Sequence, residues 1–304
     1  RLRVREAASS LLQVDCRHAA TRLARVRRSA NFFEQTDSDA IEALFDAAGL
    51  SAEVESTTVK HPQLVQHDCS DWDFIVSRAS ANGLLLLTRG ADLALRAPAL
   101  GDPVAQLQFG ATLLEFVAEV DGRLQPQAAQ AVSWNAADQA LQEQDGEAPS
   151  FTSTGNFAPE DLASGAGSDT LRLAHAALEA DEAAALASAA LLRARVDLAS
   201  GRMMCAGIAT IQPGDTVTLA GVGDRFSGKV LITGVRQAFD TQQGWKTHLQ
   251  FGGTAPDPAL RERLQQQRTA ALLAPVAGLQ AGIVTDNEDP SGEFRVRVRL
   301  PLVN

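Results

Sequence analysis

The chain has 304 residues, of which 45% are hydrophobic, with a net charge of -10 and an isoelectric point near 5.0. This length allows about two or three domains with real cores, and the acidic balance argues against a nucleic-acid-binding protein. The three scattered cysteines predict no disulfide framework, and no run of about 18 apolar residues exists that could span a membrane.

Residues 1–33 have the pattern of short strands, and the first 28 residues contain eight arginines against Glu6 and Asp15. Such a stretch is either an interface strip or the solvent face of strands, and the second interpretation is the commoner one. The chain begins at Arg1 and stops within a strand-like run. We therefore expect a piece of a longer polypeptide.

Residues 37–97 alternate helix, strand, helix and hairpin, which predicts a compact α/β module. The first helix follows possible caps at residues 36–38 and ends at Gly49. Its predicted buried stripe consists of Ile41, Leu44, Phe45 and Ala48. The hairpin turns near Arg89 and Gly90.

The run "HDCSDWDFIVSRASANGL" at 67–84 predicts a complete short helix within this module. Ser70 can cap it, Asp73 can reach back, and Asp71 and Asp73 suit the helix dipole. No base, nucleophile or set of metal ligands accompanies the two acids, so we interpret them as cap and surface groups. Trp72 and Phe74 are expected to pack the module.

From Pro98 the pattern is that of β-strands, and we assign residues 98–252 to one β domain. Within it the composition predicts an exposed loop at 141–170 and a helix at 175–199. The expected buried side of that helix contains Leu178, Ala185, Ala189, Leu192 and Val196. A hairpin around residues 241–244 places Phe239 opposite Trp245.

Residues 253–274 predict a linker with a helix, and residues 275–304 a new β unit. A turn falls at residues 289–292, and in the strand that follows apolar residues alternate with Arg295, Arg297 and Arg299. These three arginines share one face and are candidate interface residues.

No motif predicts a catalytic residue, a cofactor or a metal ion. The glycine-rich run at 223–230 ends in Val230 where a phosphate loop needs serine or threonine, and it leads into a strand pattern. Residues 16–18 and 67–69 each offer two soft metal ligands, fewer than zinc needs, and Pro290 breaks the spacing of a calcium loop at 285–293. We expect no enzymatic activity.

The order of several runs resembles the VgrG-like spike and hub proteins of contractile injection systems, which include the phage tail hub, the type VI secretion spike and the spike of extracellular phage-tail-like particles. The runs are "TDSDAIEALFDAAGL", "VQHDCSDWDFIVSRASANGL", "LQFG", "GVRQAFDTQQGWKTHLQFG" and "GLQAGIVTDNEDPSGEFRVRVRLP".

The resemblance implies a mainly β fold with α+β insertions. Residues 1–36 would end a first hub β-barrel, residues 37–97 form the α/β module, residues 98–252 form a second barrel and residues 275–304 open an OB-fold. The start of the first barrel and the spike needle are absent from this sequence.

The resemblance also implies a homotrimer whose six barrels adapt a threefold spike to a sixfold inner tube at the baseplate centre and help puncture a target membrane. Its partners would be itself, the tube, baseplate proteins and a tip protein or effector. Such a particle assembles in the bacterial cytoplasm or a phage virion and leaves the cell on contraction. The alternatives are a cell-wall-processing enzyme, or a glycan-binding module centred on residues 37–97.

Overall fold

The computed structural model describes residues 2–4, 10–122, 125–135, 138–152, 155–156, 158, 162, 170–175, 178–253, 281–288, 296–299 and 301. The prediction of a mainly β chain with helical insertions is confirmed. The helices among these residues lack the combination of length and apolar character that a membrane crossing requires.

The amino-terminal part contains a hairpin of β1 (Leu2–Val4) and β2 (Ser10–Leu12), a 3-10 helix (Ala19–Arg22) and the long strand β3 (Arg27–Thr36). The α/β module follows with α1 (Asp37–Ala47), β4 (Ala52–Val54), β5 (Lys60–Ser70), α2 (Asp71–Ala81), β6 (Leu85–Arg89) and β7 (Asp92–Arg96). Strand β3 pairs antiparallel with β5, while β4, β7 and β6 form a separate three-stranded sheet.

One core joins the two helices of the module to both of its sheets. It contains Ile41, Leu44 and Phe45 of α1, Phe74 and Ile75 of α2, and Leu93 and Leu95 of β7. The stripe predicted for α1 is therefore buried as expected, apart from the partly exposed Ala48.

The predicted domain boundary between residues 36 and 37 falls within a region that shares one core and one sheet. Ala20 and Leu23 are buried in the same core as α1 and α2, and β3 pairs with β5 along its length. Residues 20–36 thus pack with the α/β module. A division at residue 37 would separate the two strands of one sheet.

A curled six-stranded sheet forms the second β unit. Its strands are β8 (Pro103–Gln108), β9 (Leu113–Val120), β13 (Ala199–Ala206), β14 (Thr216–Ala220), β15 (Gly228–Asp240) and β16 (Gly244–Phe251). Their order is β8-β14-β15-β16-β13-β9, and an isolated bridge joins Phe109, just after β8, to Leu113 at the start of β9. Leu107, Val217, Ile232 and Phe251 are among the side chains that fill the inside of this half-barrel.

A second unit is inserted between β9 and β13. It contains β10 (Ala128–Asn135), β11 (Ala140–Asp145), β12 (Thr170–His175) and α3 (Ala180–Asp197). Ala129 and Ala131 of β10 pack against Ala183, Ala187 and Leu191 of α3. Alanine lets the helix lie close to the sheet, because no longer side chain separates the two backbones.

Two predictions for this insertion are wrong in detail. Residues 141–145, predicted as part of the exposed loop, lie in the edge strand β11, which pairs with β10. On α3, Ala185 and Leu192 are only partly buried, whereas Ala183, Ala187 and Leu191 are buried. Alanine occurs on every side of this helix, so the sequence pattern does not distinguish its buried side from its exposed side.

The last described unit is the ribbon of β17 (Ile283–Asp286) and β18 (Arg297–Arg299). The predicted helix within 253–274 and the predicted turn at 289–292 lie outside the described residues. The hairpin between β15 and β16 is confirmed, with Phe239 directly opposite Trp245.

We expect Phe74→Ala to lower the free energy of unfolding by about 3–5 kcal/mol, because Phe74 is buried. Its ring stacks on Phe32 with centroids 5.5 Å apart. Trp72 is only partly buried, so Trp72→Ala should cost less. Denaturant unfolding of the wild type, Phe74→Ala and Trp72→Ala measures both losses of free energy. Phe33→Ala is the matched control, since Phe33 is 61% exposed, and an equal loss there would contradict the assigned core.

Candidate functional site

The residues singled out at the start of α2 make local structural contacts. The hydroxyl of Ser70 accepts the Asp73 amide proton at 3.1 Å and donates to Asp73 Oδ2 at 2.6 Å. The Asp73 carboxylate thus accepts a hydrogen bond from the hydroxyl of Ser70 and not from its backbone amide, as a capping box would require. The fully reciprocal capping box lies instead at α1, between Thr36 and Asp39.

Asp71 is held by two donors that come from the paired strands β3 and β5. Its Oδ1 accepts from Arg28 Nε at 2.6 Å and from Gln66 Nε2 at 2.9 Å. The Trp72 amide donates to the Leu23 carbonyl at 3.2 Å. These contacts tie the first turn of α2 to β3 and to the chain before it. The run from Ser70 to Phe74 therefore fixes where α2 begins.

A buried ionic junction that the sequence analysis missed lies where α1, β5, α2 and α3 meet. Arg78 of α2 forms ion pairs with Asp37 of α1 and with Glu182 of α3, the second at 2.9 Å. His61 Nε2 of β5 lies 3.2 Å from Asp37 Oδ2, and Asn82 Nδ2 donates to the same oxygen at 2.7 Å. Asp37 is only 1% exposed.

The surroundings of Asp37 keep it charged. Burial by itself would raise the pKa of the carboxyl, but the hydrogen bond and charge of Arg78, then Asn82 and His61, outweigh it and hold the pKa below its usual value. Burial acts to lower the pKa of Arg78, and its bonds to Asp37 and Glu182 raise it overall. A general acid needs the opposite shift, so Asp37 is suited to holding an ion pair and not to donating protons.

A sequence signal for this junction does exist. Arg78 lies four residues after the buried Phe74, so it occupies the inner side of α2 where an apolar residue is expected. Such a position requires a buried counter-charge. Its partners Asp37 and Glu182 are distant in the sequence, so the pattern alone does not identify them.

The motifs considered for other chemistry are dispersed among structural positions. Residues 228–230 of the glycine-rich run lie in β15, and Lys229 donates to the Gly101 carbonyl at 3.1 Å. Cys16 is exposed and Cys69 lies partly buried in β5. Among the described residues, no three His, Cys, Asp or Glu side chains are grouped as metal ligands.

The predicted interface arginines are only partly within the described residues, since Arg295 lies outside them. Arg297 and Arg299 are exposed on β18. Arg299 also lines a cleft of about 650 Å³ between this ribbon and the insertion sheet, with Trp134 and Arg172. Val284, Val296 and Val298 are exposed as well, so the apolar side of this strand region is uncovered in the single chain.

Further apolar side chains are exposed on the other sheets. Phe33 and Val65 lie on the outer side of the β3–β5 sheet. Phe239 is 76% exposed and Trp245 43% exposed at the tip of the β15–β16 hairpin. A Cβ at Gly207 would lie 2.1 Å from the Trp245 ring, so glycine at 207 lets this ring lie flat on the backbone.

Loss of the Arg78 charge should be costly because it leaves Asp37 buried without its main partner. We expect Arg78→Met to lower the free energy of unfolding by about 3 kcal/mol or more. Denaturant unfolding measures this, with Arg25→Met as control at an exposed position. Adding Asp37→Asn to Arg78→Met should recover part of the loss. An additive double variant would contradict direct coupling of the two side chains.

The lowered pKa of Asp37 predicts how stability changes in acid. A carboxyl with a lower pKa in the folded state contributes stability that is fully present above its unfolded pKa, near 3.9, and is lost as pH falls through the folded pKa. We expect stability to fall below about pH 4 more steeply in the wild type than in Asp37→Asn. Unfolding measured from pH 6 to pH 2 tests this, and parallel curves would contradict it.

Comparison with known proteins supplies a family and a fold. The family model described as the Alg8 N-terminal domain matches residues 1–240. No curated protein matches the sequence.

Among solved structures, a 43 kDa tail protein of prophage MuSo2 from Shewanella oneidensis is similar, with a TM-score of 0.54 and 12% identity. The match covers 78% of this chain and 69% of that one. A tail protein from Neisseria meningitidis MC58 gives a TM-score of 0.53 and 14% identity over 78% of this chain and 74% of the other. This chain shares their fold, and by the family match it belongs to the family of the Alg8 N-terminal domain.

Proposed function

We propose that the protein is a structural, VgrG-like hub and spike component of a contractile injection machine. In this role it forms a homotrimer at the centre of the baseplate, adapts the threefold spike to the sixfold inner tube and helps puncture the target membrane. Its partners are then further copies of itself, the tube protein, baseplate proteins and a tip protein or effector.

The fold is the single observation that carries the proposal. This chain shares its fold with two tail proteins over 78% of its length, at 12% and 14% sequence identity. One fold can serve several functions. The assembly role therefore depends also on what the surface offers.

The exposed apolar side chains support a role in assembly. Phe33, Val65, Phe239 and Val298 lie on three different sheets, and each is at least 43% exposed. Single exposed apolar residues are ordinary, but paired exposed aromatics such as Phe239 and Trp245 are typical of contact surfaces. A two-stranded ribbon such as β17–β18 is also marginal by itself and gains stability from packing.

The carboxylates of the ionic junction and of the start of α2 are engaged in ion pairs, which supports a structural role for them over an enzymatic one. Asp37 and Glu182 pair with Arg78, and Asp71 pairs with Arg28. The cell-wall enzyme and the glycan-binding module remain alternative predictions. Cell-wall hydrolysis abolished by one carboxylate substitution would favour the first, and saturable glycan binding the second.

The same proposal places the protein in the bacterial cytoplasm or a phage virion during assembly, within a tail-like particle, and outside the cell after contraction. Residues 275–304 are then the opening strands of an OB-fold below the barrels.

The solution mass of the natural full-length protein tests the proposal. We expect light scattering after size exclusion to give the mass of three chains, and a stable monomer would contradict the adaptor role. Replacing Arg295, Arg297 and Arg299 by glutamate should weaken assembly, because it reverses the charge of these three candidate interface residues. Replacing Arg17, Arg22 and Arg25 by glutamate is the matched control. Unchanged trimers and normal particles after the first replacement would remove these arginines from the interface.

A further inference from the structure

A groove of about 490 Å³ lies on the outer face of the six-stranded sheet, across β15, β16, β13 and β9. Two rows of paired residues line it. The first row is Arg236, His248, Met204 and Glu115, and the second is Gly234, Gln250 and Arg202. We call it the basic groove, after Arg202, Arg236 and His248.

The concavity has a local cause in β15. The register of β15 against β16 shifts between Ile232 and Gly234, and Gly234 places no side chain in its row. The face is therefore depressed beside Arg236 and bordered by longer side chains. A depression between two arginines can receive side chains of another surface.

The two arginines of the groove are available for a partner. Arg202 and Arg236 are exposed, and neither guanidinium has an ion-pair or hydrogen-bond partner among the described residues. The floor between them includes Met204, which is partly buried. Guanidinium groups beside apolar surface are suited to binding carboxylates, often through two parallel hydrogen bonds.

A complementary surface exists on α1 of the same chain. The sequence of α1 contains Asp37, Asp39, Glu42 and Asp46 and no lysine or arginine. Asp37 belongs to the buried junction, whereas the other three are exposed along one side of the helix. We call Asp39, Glu42 and Asp46 the acidic stripe. Glu42 and Asp46 have no ion-pair partner among the described residues.

The spacing of the two surfaces is compatible with the contact. Arg202 and Arg236 are two strands and two residues apart on the sheet, which corresponds to about 12 Å between their backbones. Glu42 and Asp46 are four residues apart on α1, which corresponds to about 6 Å along the helix. The two long arginine side chains can converge over this difference.

We propose that the basic groove of one copy binds the acidic stripe of a second copy. The inference rests on the proposed function, because it names a contact that would hold the trimer together. Groove and stripe are different surfaces, so the contact is head-to-tail, and a repeated head-to-tail contact closes into a ring when the rotation between copies is threefold. The α/β module of each copy would then cover the barrel face of its neighbour.

Charge reversal and charge exchange test the contact in the natural full-length protein. The groove variant is Arg202→Glu with Arg236→Glu, the stripe variant is Glu42→Arg with Asp46→Arg, and the exchange variant combines all four. We expect each reversal to raise the dissociation constant of the oligomer at least about tenfold, and the exchange variant to recover most of that loss. Sedimentation over a range of concentrations gives these constants.

The matched control is Arg22→Glu with Arg25→Glu, which makes the same charge change at exposed positions of the basic amino-terminal stretch. It should keep the wild-type constant, and circular dichroism should show every variant folded. If the wild type is a trimer and both the groove variant and the stripe variant keep its dissociation constant, the groove contact alone would be overturned. The same conclusion would follow if the exchange variant had a dissociation constant as high as that of the groove variant or the stripe variant. A wild-type monomer at all concentrations would overturn the contact and the trimer together. An oligomer of another size, lost on reversal and recovered on exchange, would support the contact and contradict the trimer.

Discussion

The ion pair between Asp37 and Arg78 is the contact on which the arrangement of the module and the insertion depends. Asp37 lies in the first turn of α1, Arg78 in the last turn of α2 and Glu182 in the first turn of α3. One guanidinium thus holds three helix ends. Because a charge removed from water is costly without its partner, any displacement of α3 relative to the module is penalised. Close packing also holds α3 against the module, since a Cβ at Gly83, just after α2, would lie 3.3 Å from the backbone of Ala189 in α3.

Local patterns in the sequence were enough to predict much of the fold. The Ser70 cap, the stop after Ala81 and the β15–β16 hairpin depend on residues a few positions apart, and the structure contains each of them. The same is true of the buried side of α1, where a strong contrast between Ile41, Phe45 and their charged neighbours marks the inner face. In these places local preference and tertiary packing favour the same conformation.

The errors occur where distant residues decide the structure. Residues 141–145 are polar enough for a loop, but β10 offers them an edge to pair with. The division at residue 37 follows the start of the first helix and the family resemblance, whereas Leu23 and Leu64 join one core across it. The ionic junction brings Asp37, His61 and Glu182 together from three separate elements. No periodicity within a single element contains that information.

The place of the insertion has a consequence for how the chain folds. Val120 pairs with Ala199, and the Asp121 amide donates to the Leu198 carbonyl at 3.0 Å, so the insertion leaves and re-enters the sheet at neighbouring points. Strands β9 and β13 are the two arms of a hairpin interrupted by a folded unit. Closing so long a connection costs chain entropy, and pairings between distant residues are slow to form. If α3 packs onto β10 first, the effective loop becomes shorter, so we expect β9 and β13 to pair after the insertion has folded.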